Sequence, residues 1–345
     1  MPVIGALTRK TRVDIEAELA AERKIAVLES RRPELKNIEV VGEDLSALDL
    51  SGVHIYNSRF IGGVRFIKSN LRNVCFNTVD MPHANLAEVC LSGAVFIGVD
   101  FSYASFNEAE LGELGTRIEF RECNLDHSQF KKVVMPGVHF AARTTARGAN
   151  FSRAEFEDGV IMESTFDHAV FESAELRNMV IAESCLKEAT FFDVRARSIR
   201  MINVNCSQSN LIRGDFRFSD ISRVIFDGSD CTDSRWNGFL VGDGGVSFKD
   251  AKLIRARFRG ADEDFEAVNM RGVTIDAKSF EKLPLARRRE IIMCMNEEAR
   301  QALQLPDLLP RDLKQVVGSF FLFEKAVHEK AQQQASLPPA VTLDF

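Results

Sequence analysis

The sequence lacks the short motifs that identify the common classes of enzyme. Its 345 residues contain no glycine-rich phosphate loop, no dinucleotide-binding motif, and no HExxH or GxSxG motif. The run Gly242–Gly245 is typical of a turn, because the Lys and Ser/Thr that complete a phosphate loop do not follow it. The six histidines are scattered along the chain. We therefore expect a protein that is not an enzyme and that has no cofactor.

Cysteine is present, but not in the patterns that bind metals or form a disulfide framework. The seven cysteines are an odd number, none belongs to a CxxC pair, and no spacing suits zinc. We expect Cys206 and Cys231 to fill the core, and Cys75, Cys90 and Cys185 to point outward. Free thiols are typical of a reducing compartment. The cysteines therefore predict no metal site and a cytoplasmic location.

Long apolar runs and an excess of basic charge are also missing. The longest apolar run, residues 320–323, is too short to span a membrane, and the N-terminus lacks the apolar stretch of a signal peptide. The net charge of −6 argues against binding to nucleic acid through a general basic field. We expect no membrane span, no direct nucleic-acid partner, and a cytoplasmic protein or one secreted into a host cell without a cleaved signal peptide.

What the sequence does have is a five-residue repeat, which is clearest from Ala149 to Trp236. Every fifth residue from Phe151 is apolar through eighteen consecutive positions, which we call the centres. In a chain that is 45% hydrophobic, eighteen positions taken at random would all be apolar with a probability of roughly 10⁻⁶. The centres are Phe151, Phe156, Ile161, Phe166, Phe171, Leu176, Ile181, Leu186, Phe191, Ala196, Met201, Cys206, Leu211, Phe216, Ile221, Phe226, Cys231 and Trp236.

Small residues recur two positions before the centres. Thirteen of these eighteen positions hold Ala, Ser or Gly, as at Ala149, Ala154 and Gly159. A period of five fits neither an α-helix nor a simple strand, but it fits one flat side of a square coil. In such a coil the centre and the small residue point inward, and the other three residues face outward. This pattern predicts a solenoid, in which each unit buries its apolar face against its neighbours.

The repeat resembles the pentapeptide-repeat family, whose loose motif is Ala-(Asp/Asn)-(Leu/Phe) followed by two variable residues. The segments that match it best are residues 84–86, 149–151 and 174–176. The resemblance implies an all-β solenoid, a right-handed quadrilateral β-helix with four repeats per coil, whose coils stack at about 4.8 Å. It covers about two-thirds of the chain and leaves the function open.

The same frame divides the chain into three regions. We expect an N-terminal helical cap or arm at 1–39, the β-helix at 40–276, and a helical C-terminal region with a flexible tail at 277–345. Single-residue slips are expected after Phe60 and within 141–148, and a loop is expected at 112–119. After Trp236 the repeat weakens, and 260–275 is expected to form a ragged final coil.

Helices are predicted at both ends of the solenoid. The first spans Val13 to Arg32 with Asp14 as its N-cap and an apolar stripe of Ile15, Leu19, Ile25 and Ala26. At the other end, helices at 285–305 and 311–334 would form a hairpin. This hairpin either closes the open end of the solenoid or forms a homodimer interface. The residues expected to act there are Leu313, Val317, Phe320, Phe321 and Phe323.

Outward residues that recur once per coil should stack in columns along one side of the rod. One predicted column is Arg177, Arg197 and Arg217, and a mixed-charge column of Glu175, Arg195, Asp215 and Arg235 lies beside it. On the adjoining face Phe192 and Ile212 are predicted to point outward one coil apart, and Phe218 is predicted to be outward as well. We hypothesise that the three arginines, Phe192, Ile212 and Phe218 form part of a protein-binding surface. The alternatives are a solvated ladder of salt bridges and a segment folded over the apolar residues.

Three interpretations of function follow from the resemblance. The first is a non-enzymatic protein-binding scaffold, which could be a bacterial effector that binds a host protein. The second is similarity to the Qnr-type proteins, which implies an acidic DNA mimic that binds a topoisomerase such as gyrase. The mixed charge and the arginine column depart from that pattern. The third, an enzyme with a catalytic C-terminus, is disfavoured because the segment after Asp276 is too short for such a domain.

Overall fold

The structure is a computed structural model that describes residues 6–112, 116–238, 240–242, 244–258 and 267–294. These residues form a parallel β-solenoid of about 11 coils, so the predicted quadrilateral β-helix is confirmed. The strands are β1 Thr8–Arg9, β2 Glu34–Lys36, β3 Ile38–Val41, β4 His54–Ile61, β5 Cys75–Asp80, β6 Val95–Asp100, β7 Ile118–Arg121, β8 Val134–Pro136, β9 Val138–Ala141, β10 Glu155–Glu157, β11 Val160–Met162, β12 Glu175–Arg177, β13 Val180–Ala182, β14 Arg200–Asn205, β15 Asp220–Ile225, β16 Leu240–Val241, β17 Val246–Ser247 and β18 Val268–Asn269. The helices are α1 Arg12–Leu28, α2 Ala277–Phe280 and α3 Leu285–Cys294.

The register of the strands fixes the length of a coil in the regular part of the rod at four repeats. Phe156 pairs with Leu176, and Ile181 pairs with Met201, each one coil further along. Each coil has four sides, which we number along the chain from one reference coil. Face 1 holds residues 170–172, face 2 holds 175–177, face 3 holds 180–182 and face 4 holds 185–187. Moving one coil along the chain returns to the same face.

The core of the rod is formed by the residues that the sequence predicts. All eighteen centres from Phe151 to Trp236 are buried, with at most 2% of their surface exposed. On face 1, the rings of Phe130, Phe151, Phe171 and Phe191 stack in a row with centroids 4.9, 5.1 and 5.1 Å apart. Because each ring contacts the ring of the next coil, the apolar core is continuous along the solenoid.

Tight turns separate the four sides of each coil. The backbone N–H of Ala154 donates to the carbonyl oxygen of Phe151 at 3.0 Å, and Arg153 between them has a φ of 59°. A positive φ at the third residue is typical of a type II β-turn. The same turn recurs at His168 and Ser173, and Asn178 also has a positive φ, so non-glycine residues occupy the left-handed region at corner after corner.

Irregularities of the repeat are absorbed at the corners. The two predicted one-residue slips are present: Gly62 and Gly63 both have positive φ values at one corner, and Ala142 and Arg143 do at another. The predicted loop at 112–119 extends too far, because Ile118 is buried and begins β7. Across this corner β6 pairs with β7 through a longer stretch of chain than a regular coil contains, so the corner holds a short insertion. The strand register resumes unchanged after each insertion.

Helix α1 lies beside the first coils. The N-cap is Thr11 and not Asp14, because the Thr11 side chain accepts from the backbone N–H of Asp14 while the Asp14 carboxylate accepts from the backbone N–H of Thr11. Of the predicted stripe, Ile15, Leu19 and Ala26 are buried, but Ile25 is 43% exposed. The guanidinium of Arg12 donates to two backbone carbonyls of the first coil at 2.8 and 3.0 Å. These contacts fix the helix to the solenoid.

The described part of the C-terminal region contains two short helices. Helix α3 begins at Leu285, as predicted, and Ile291 and Ile292 are buried. The predicted helix at 311–334 and the proposed interface residues Leu313, Val317, Phe320, Phe321 and Phe323 lie outside the described residues. None of the helices in the described part of the chain has the length and apolar character that a membrane span requires.

Candidate functional site

The arginine column lies on face 2. Arg177, Arg197 and Arg217 each follow a buried centre and are one coil apart. The mixed-charge column lies beside them, because Glu175, Arg195, Asp215 and Arg235 are paired in register on successive coils. The parallel strands thus place both columns on one flat side of the rod.

Asp215 is the most strongly held charge on face 2. Arg217 donates from Nε and Nη2 to the two carboxylate oxygens at 2.7 and 2.8 Å, and Arg197 donates from Nε at 2.8 Å. Only 6% of the Asp215 surface is exposed. Burial alone would raise the pKa of Asp215, but the hydrogen bonds from Arg217 and Arg197 outweigh burial and lower the pKa to about 2. Asp215 therefore stays ionised and orients two arginines.

Glu175 repeats this arrangement two coils earlier. Its carboxylate accepts from Arg195 at 2.6 Å and from Arg177. The hydrogen bond from Arg195 is the largest cause of the lowered pKa of Glu175. Each of the two acids on this part of face 2 therefore binds two arginines and partly neutralises the arginine column.

Beyond Glu175 the charge of face 2 becomes strongly positive. Five arginines face outward there against one acid, Asp215, and we call these five residues the arginine stripe: Arg195, Arg197, Arg217, Arg235 and Arg257. Arg235 and Arg257 are register partners on adjacent coils, and both are exposed. Neither forms an ion pair with a carboxylate in the described ranges. The stripe is thus a local positive surface on a chain of net charge −6.

The three predicted apolar residues do not share one face. Phe218 lies at the corner between faces 2 and 3, directly after Arg217, and is 64% exposed. Phe192 and Ile212 lie on face 1, where each is partly buried. The guanidinium of Arg213 lies over the Phe192 ring at 5.3 Å. The structure therefore brings Phe218 beside the arginine stripe and places the other two around a corner from it.

An apolar strip on face 3 is absent from the sequence-based prediction. It consists of five of the six outward residues of three successive coils: Val160 and Met162 of β11, Val180 and Ala182 of β13, and Ile202 of β14. The sixth is Arg200, which pairs with Asp220. Met162 is 40% exposed. The signal is present in the sequence as apolar outward residues that recur once per coil. A search for charged columns alone does not reveal it.

The described residues offer little for catalysis or metal binding. In these ranges no three His, Cys, Asp or Glu side chains are arranged to hold a metal ion. Cys206 and Cys231 are fully buried, and burial raises the pKa of both thiols. Burial also raises the pKa of the partly exposed Cys185.

Comparisons with known proteins identify the repeat. Residues 83–113 match the family described as pentapeptide repeats (8 copies). A comparison with curated proteins finds no match. Among solved structures, the chain is similar to HetL, a pentapeptide repeat protein involved in regulation of heterocyst differentiation in the cyanobacterium Nostoc. The identity is 15%, the match covers 74% of this chain and 93% of HetL, and the TM-score is 0.28.

Two further solved structures show a similar likeness. QnrB1, a plasmid-mediated fluoroquinolone resistance protein, is 19% identical over 69% of this chain and 91% of that chain, with a TM-score of 0.28. A pentapeptide repeat protein from the thylakoid lumen of Arabidopsis thaliana is 22% identical over 33% of this chain and 65% of that one, with a TM-score of 0.19. Residues 83–113 thus match pentapeptide repeats, and the same five-residue spacing of buried centres continues in coil after coil from Phe151 to Trp236.

Proposed function

We propose that this protein is a non-enzymatic scaffold that binds an acidic surface of another protein along face 2. The observation that carries this proposal is the arginine stripe, whose five cations form ion pairs with only two acids of the described residues, Glu175 and Asp215, on a chain whose net charge is −6. A surface whose sign opposes that of the whole molecule is typical of recognition by charge complementarity.

The solenoid holds the stripe in a rigid geometry. The backbone N–H of Asp215 donates to Val194 at 2.9 Å, and that of Arg235 donates to Gly214 at 2.9 Å, so adjacent coils are bonded directly beneath the stripe. Two of the arginines are also oriented by Asp215. A partner would therefore lose little conformational freedom on the scaffold's side of the interface, and pre-organisation of this kind favours affinity.

Apolar surface beside the stripe favours a protein as the partner. Phe218 projects at the edge of face 2, and Ile202, the last residue of the apolar strip, lies on face 3 of the preceding coil. Interfaces between proteins are enriched in arginine and in aromatic residues at their centres. Arginines alone would suit any polyanion, but arginines next to an exposed aromatic and an apolar strip fit the surface of another protein better.

The topoisomerase-binding interpretation remains a separate hypothesis about the partner. A DNA mimic presents acidic charge to its partner, and face 2 beyond Glu175 presents the opposite sign. A gyrase supercoiling assay with and without a quinolone tests that hypothesis directly. Inhibition or protection that survives charge reversal at Arg235 would assign such an activity to another face of the rod.

The proposal is tested with a fluorescent polyglutamate peptide as a stand-in for the acidic partner. We expect the peptide to bind the full chain with an affinity that falls as salt is added. Arg235→Glu should weaken binding severalfold, because it reverses a charge in the stripe without breaking an ion pair. Arg153→Glu, an exposed arginine at the corner between faces 1 and 2, is the matched control and should bind like the unmodified protein.

Two results would overturn the proposal. Equal binding by Arg235→Glu and Arg153→Glu would mean that face 2 is not the binding surface. Tighter binding of duplex DNA than of the acidic peptide would mean that the stripe recognises nucleic acid and not protein. Circular dichroism of each variant shows whether the β-helix is intact, so that loss of binding is not confused with loss of fold.

A further inference from the structure

A cavity of about 270 Å³ lies where the arginine stripe reaches the C-terminal end of the described rod. Its described lining consists of Asn237, Arg257, Phe258, Lys278 and Lys282. The first three residues come from the last regular coils, and the two lysines come from α2 and the turn after it. The junction of solenoid and helix therefore gathers three cations around one concave space.

The three cations of the lining form no ion pair in the described part of the chain. Asp276, directly before α2, is engaged elsewhere, because its carboxylate accepts from the hydroxyl of Ser279 at 2.6 Å and from the backbone N–H of Arg255. Asp233 is held by the guanidinium of Arg255 at 2.6 and 2.7 Å, and these hydrogen bonds are the main reason why the pKa of Asp233 is lowered, with a smaller contribution from the charge of Arg257. Three like charges around one cavity repel one another, and an anion bound between them would relieve the repulsion.

The remaining lining residues suit an oxyanion. The side-chain amide oxygen of Asn237 is buried and has no hydrogen-bond partner among the described residues. The two ends of an amide are interchangeable by rotation, so the same group can turn an N–H donor to a bound oxyanion. Phe258 is 2% exposed and forms an apolar wall, which strengthens charge interactions by excluding water from one side.

The size of the cavity sets the class of ligand. It lies just below the range of roughly 300–1,000 Å³ that holds drug-sized molecules. An arginine can bind two oxygens of one phosphate at once, and lysines add point charges from other directions. We propose that this cavity binds a phosphate group, presented either as the free ion or as a phosphomonoester. The site does not depend on the protein-binding function proposed above.

The experiment is isothermal titration calorimetry of the full chain at constant ionic strength. Inorganic phosphate is the ligand in one titration, and a short phosphoserine peptide is the ligand in a second. We expect saturable binding of at least one of the two with one site per chain. Lys278→Ala and Lys282→Ala should each weaken binding at least about tenfold, because each removes a hydrogen bond between charged groups. The matched control is Lys131→Ala, an exposed lysine on face 1 that should leave the affinity unchanged.

The arms of the experiment separate the possible outcomes. Tighter binding of the peptide would identify a phosphorylated protein as the source of the group, and tighter binding of the ion would identify free phosphate. Absence of saturation for both up to about 10 mM would overturn the proposal. So would an equal loss of affinity in Lys131→Ala, because it would show general charge screening.

One internal competitor is tested separately. The sequence places Asp262, Glu263, Asp264 and Glu266 shortly after Phe258. If phosphate binds only after these four residues are changed to their amides, the chain's own carboxylates hold the cations and the proposed site is wrong. If the amide variant binds phosphate no more tightly than the unmodified chain, the cavity is open to an external oxyanion.

Discussion

Arg217 holds Asp215 through two parallel hydrogen bonds, from Nε at 2.7 Å and from Nη2 at 2.8 Å. Arg217 lies two positions after Asp215 on the same side of one coil, so the pair forms within a single repeat unit. Arg197 of the preceding coil adds the third hydrogen bond. A contact within one coil is thereby linked to a contact between coils.

This geometry predicts that Asp215 stabilises the fold in a pH-dependent way. The pKa falls from an ordinary value of 3.8 to about 2 in the folded chain. A lowered pKa adds stability that is complete above about pH 4 and is lost as the pH falls toward 2. Allowing for solvent near the arginines, we expect Asp215→Asn to lower the free energy of unfolding by about 1–2 kcal/mol at pH 7.

Denaturant unfolding at a series of pH values checks this prediction. The difference between the unmodified protein and Asp215→Asn should shrink as the pH falls below 4. Asp193→Asn is the control, because Asp193 pairs with Arg213 at an exposed corner and such pairs contribute little. A difference that stays constant down to pH 2 would contradict the assignment.

A second prediction concerns Phe218 and the residue beneath it on the next coil. Gly238 has a φ of 68°, and a Cβ there would lie 3.0 Å from the Phe218 ring. We expect Gly238→Ala to cost about 1–2 kcal/mol of stability, from left-handed strain together with the contact to the ring. Phe218→Ala should change stability by less than about 0.5 kcal/mol, because the ring is largely exposed.

The double variant separates the two causes. In the Phe218→Ala background, Gly238→Ala should cost less, because only the backbone strain remains. If the cost is unchanged by removal of the ring, the ring does not contact the Gly238 position. The same Phe218→Ala variant should weaken binding of an acidic protein partner, which would separate a role in recognition from a role in stability.

A third prediction concerns the stacked phenylalanines of face 1. Phe171 lies between Phe151 and Phe191 with both centroids at 5.1 Å, and Phe171→Ala would leave a cavity in a continuous core. We expect a loss of about 3–5 kcal/mol in the free energy of unfolding. Phe192→Ala is the matched control on the outer side of the same face and should cost about 1 kcal/mol. Equal losses would mean that the two rings are buried alike.

A fourth prediction concerns the thiols. Cys123, Cys206 and Cys231 are buried, while Cys75, Cys90 and Cys185 are partly exposed. In a Cys294→Ser variant, which retains only these six cysteines, we expect no more than three thiols to react with a disulfide reagent in the native state. The other three should react only on unfolding, because burial raises their pKa values and blocks access. Fast reaction of more than three would contradict the assigned burial.

Much of the fold follows from the sequence because the repeat depends on local, periodic packing. Each centre from Phe151 to Trp236 needs only an apolar side chain at the fifth position, and the structure buries all of them. The sequence does not show that the loop ends before Ile118, because the insertion interrupts the five-residue spacing until strand β7. The sequence favours Asp14 as the N-cap because Asp is a common capping residue. In the structure Asp14 is the third helical residue of a capping box, and Thr11 is its N-cap.

The candidate surface is harder to predict from the sequence than the fold, because it depends on which columns of outward residues share a face. The columns of arginine could be predicted from their recurrence once per coil. Phe192 and Phe218 are separated because Phe192 lies on face 1 and Phe218 lies at the corner between faces 2 and 3. The cavity beside Arg257 is also absent from the sequence pattern, since Lys278 and Lys282 reach it from a segment that does not follow the repeat.

The direction of the hydrogen bonds between coils has a mechanical consequence. Bonds such as the one from the backbone N–H of Phe151 to Val170, at 2.7 Å, run along the long axis of the rod. A force that pulls the two ends apart along that axis loads these bonds in series and not in parallel. We expect such a rod to unravel coil by coil from its weaker end, and each coil would release about 60 Å of chain at low force.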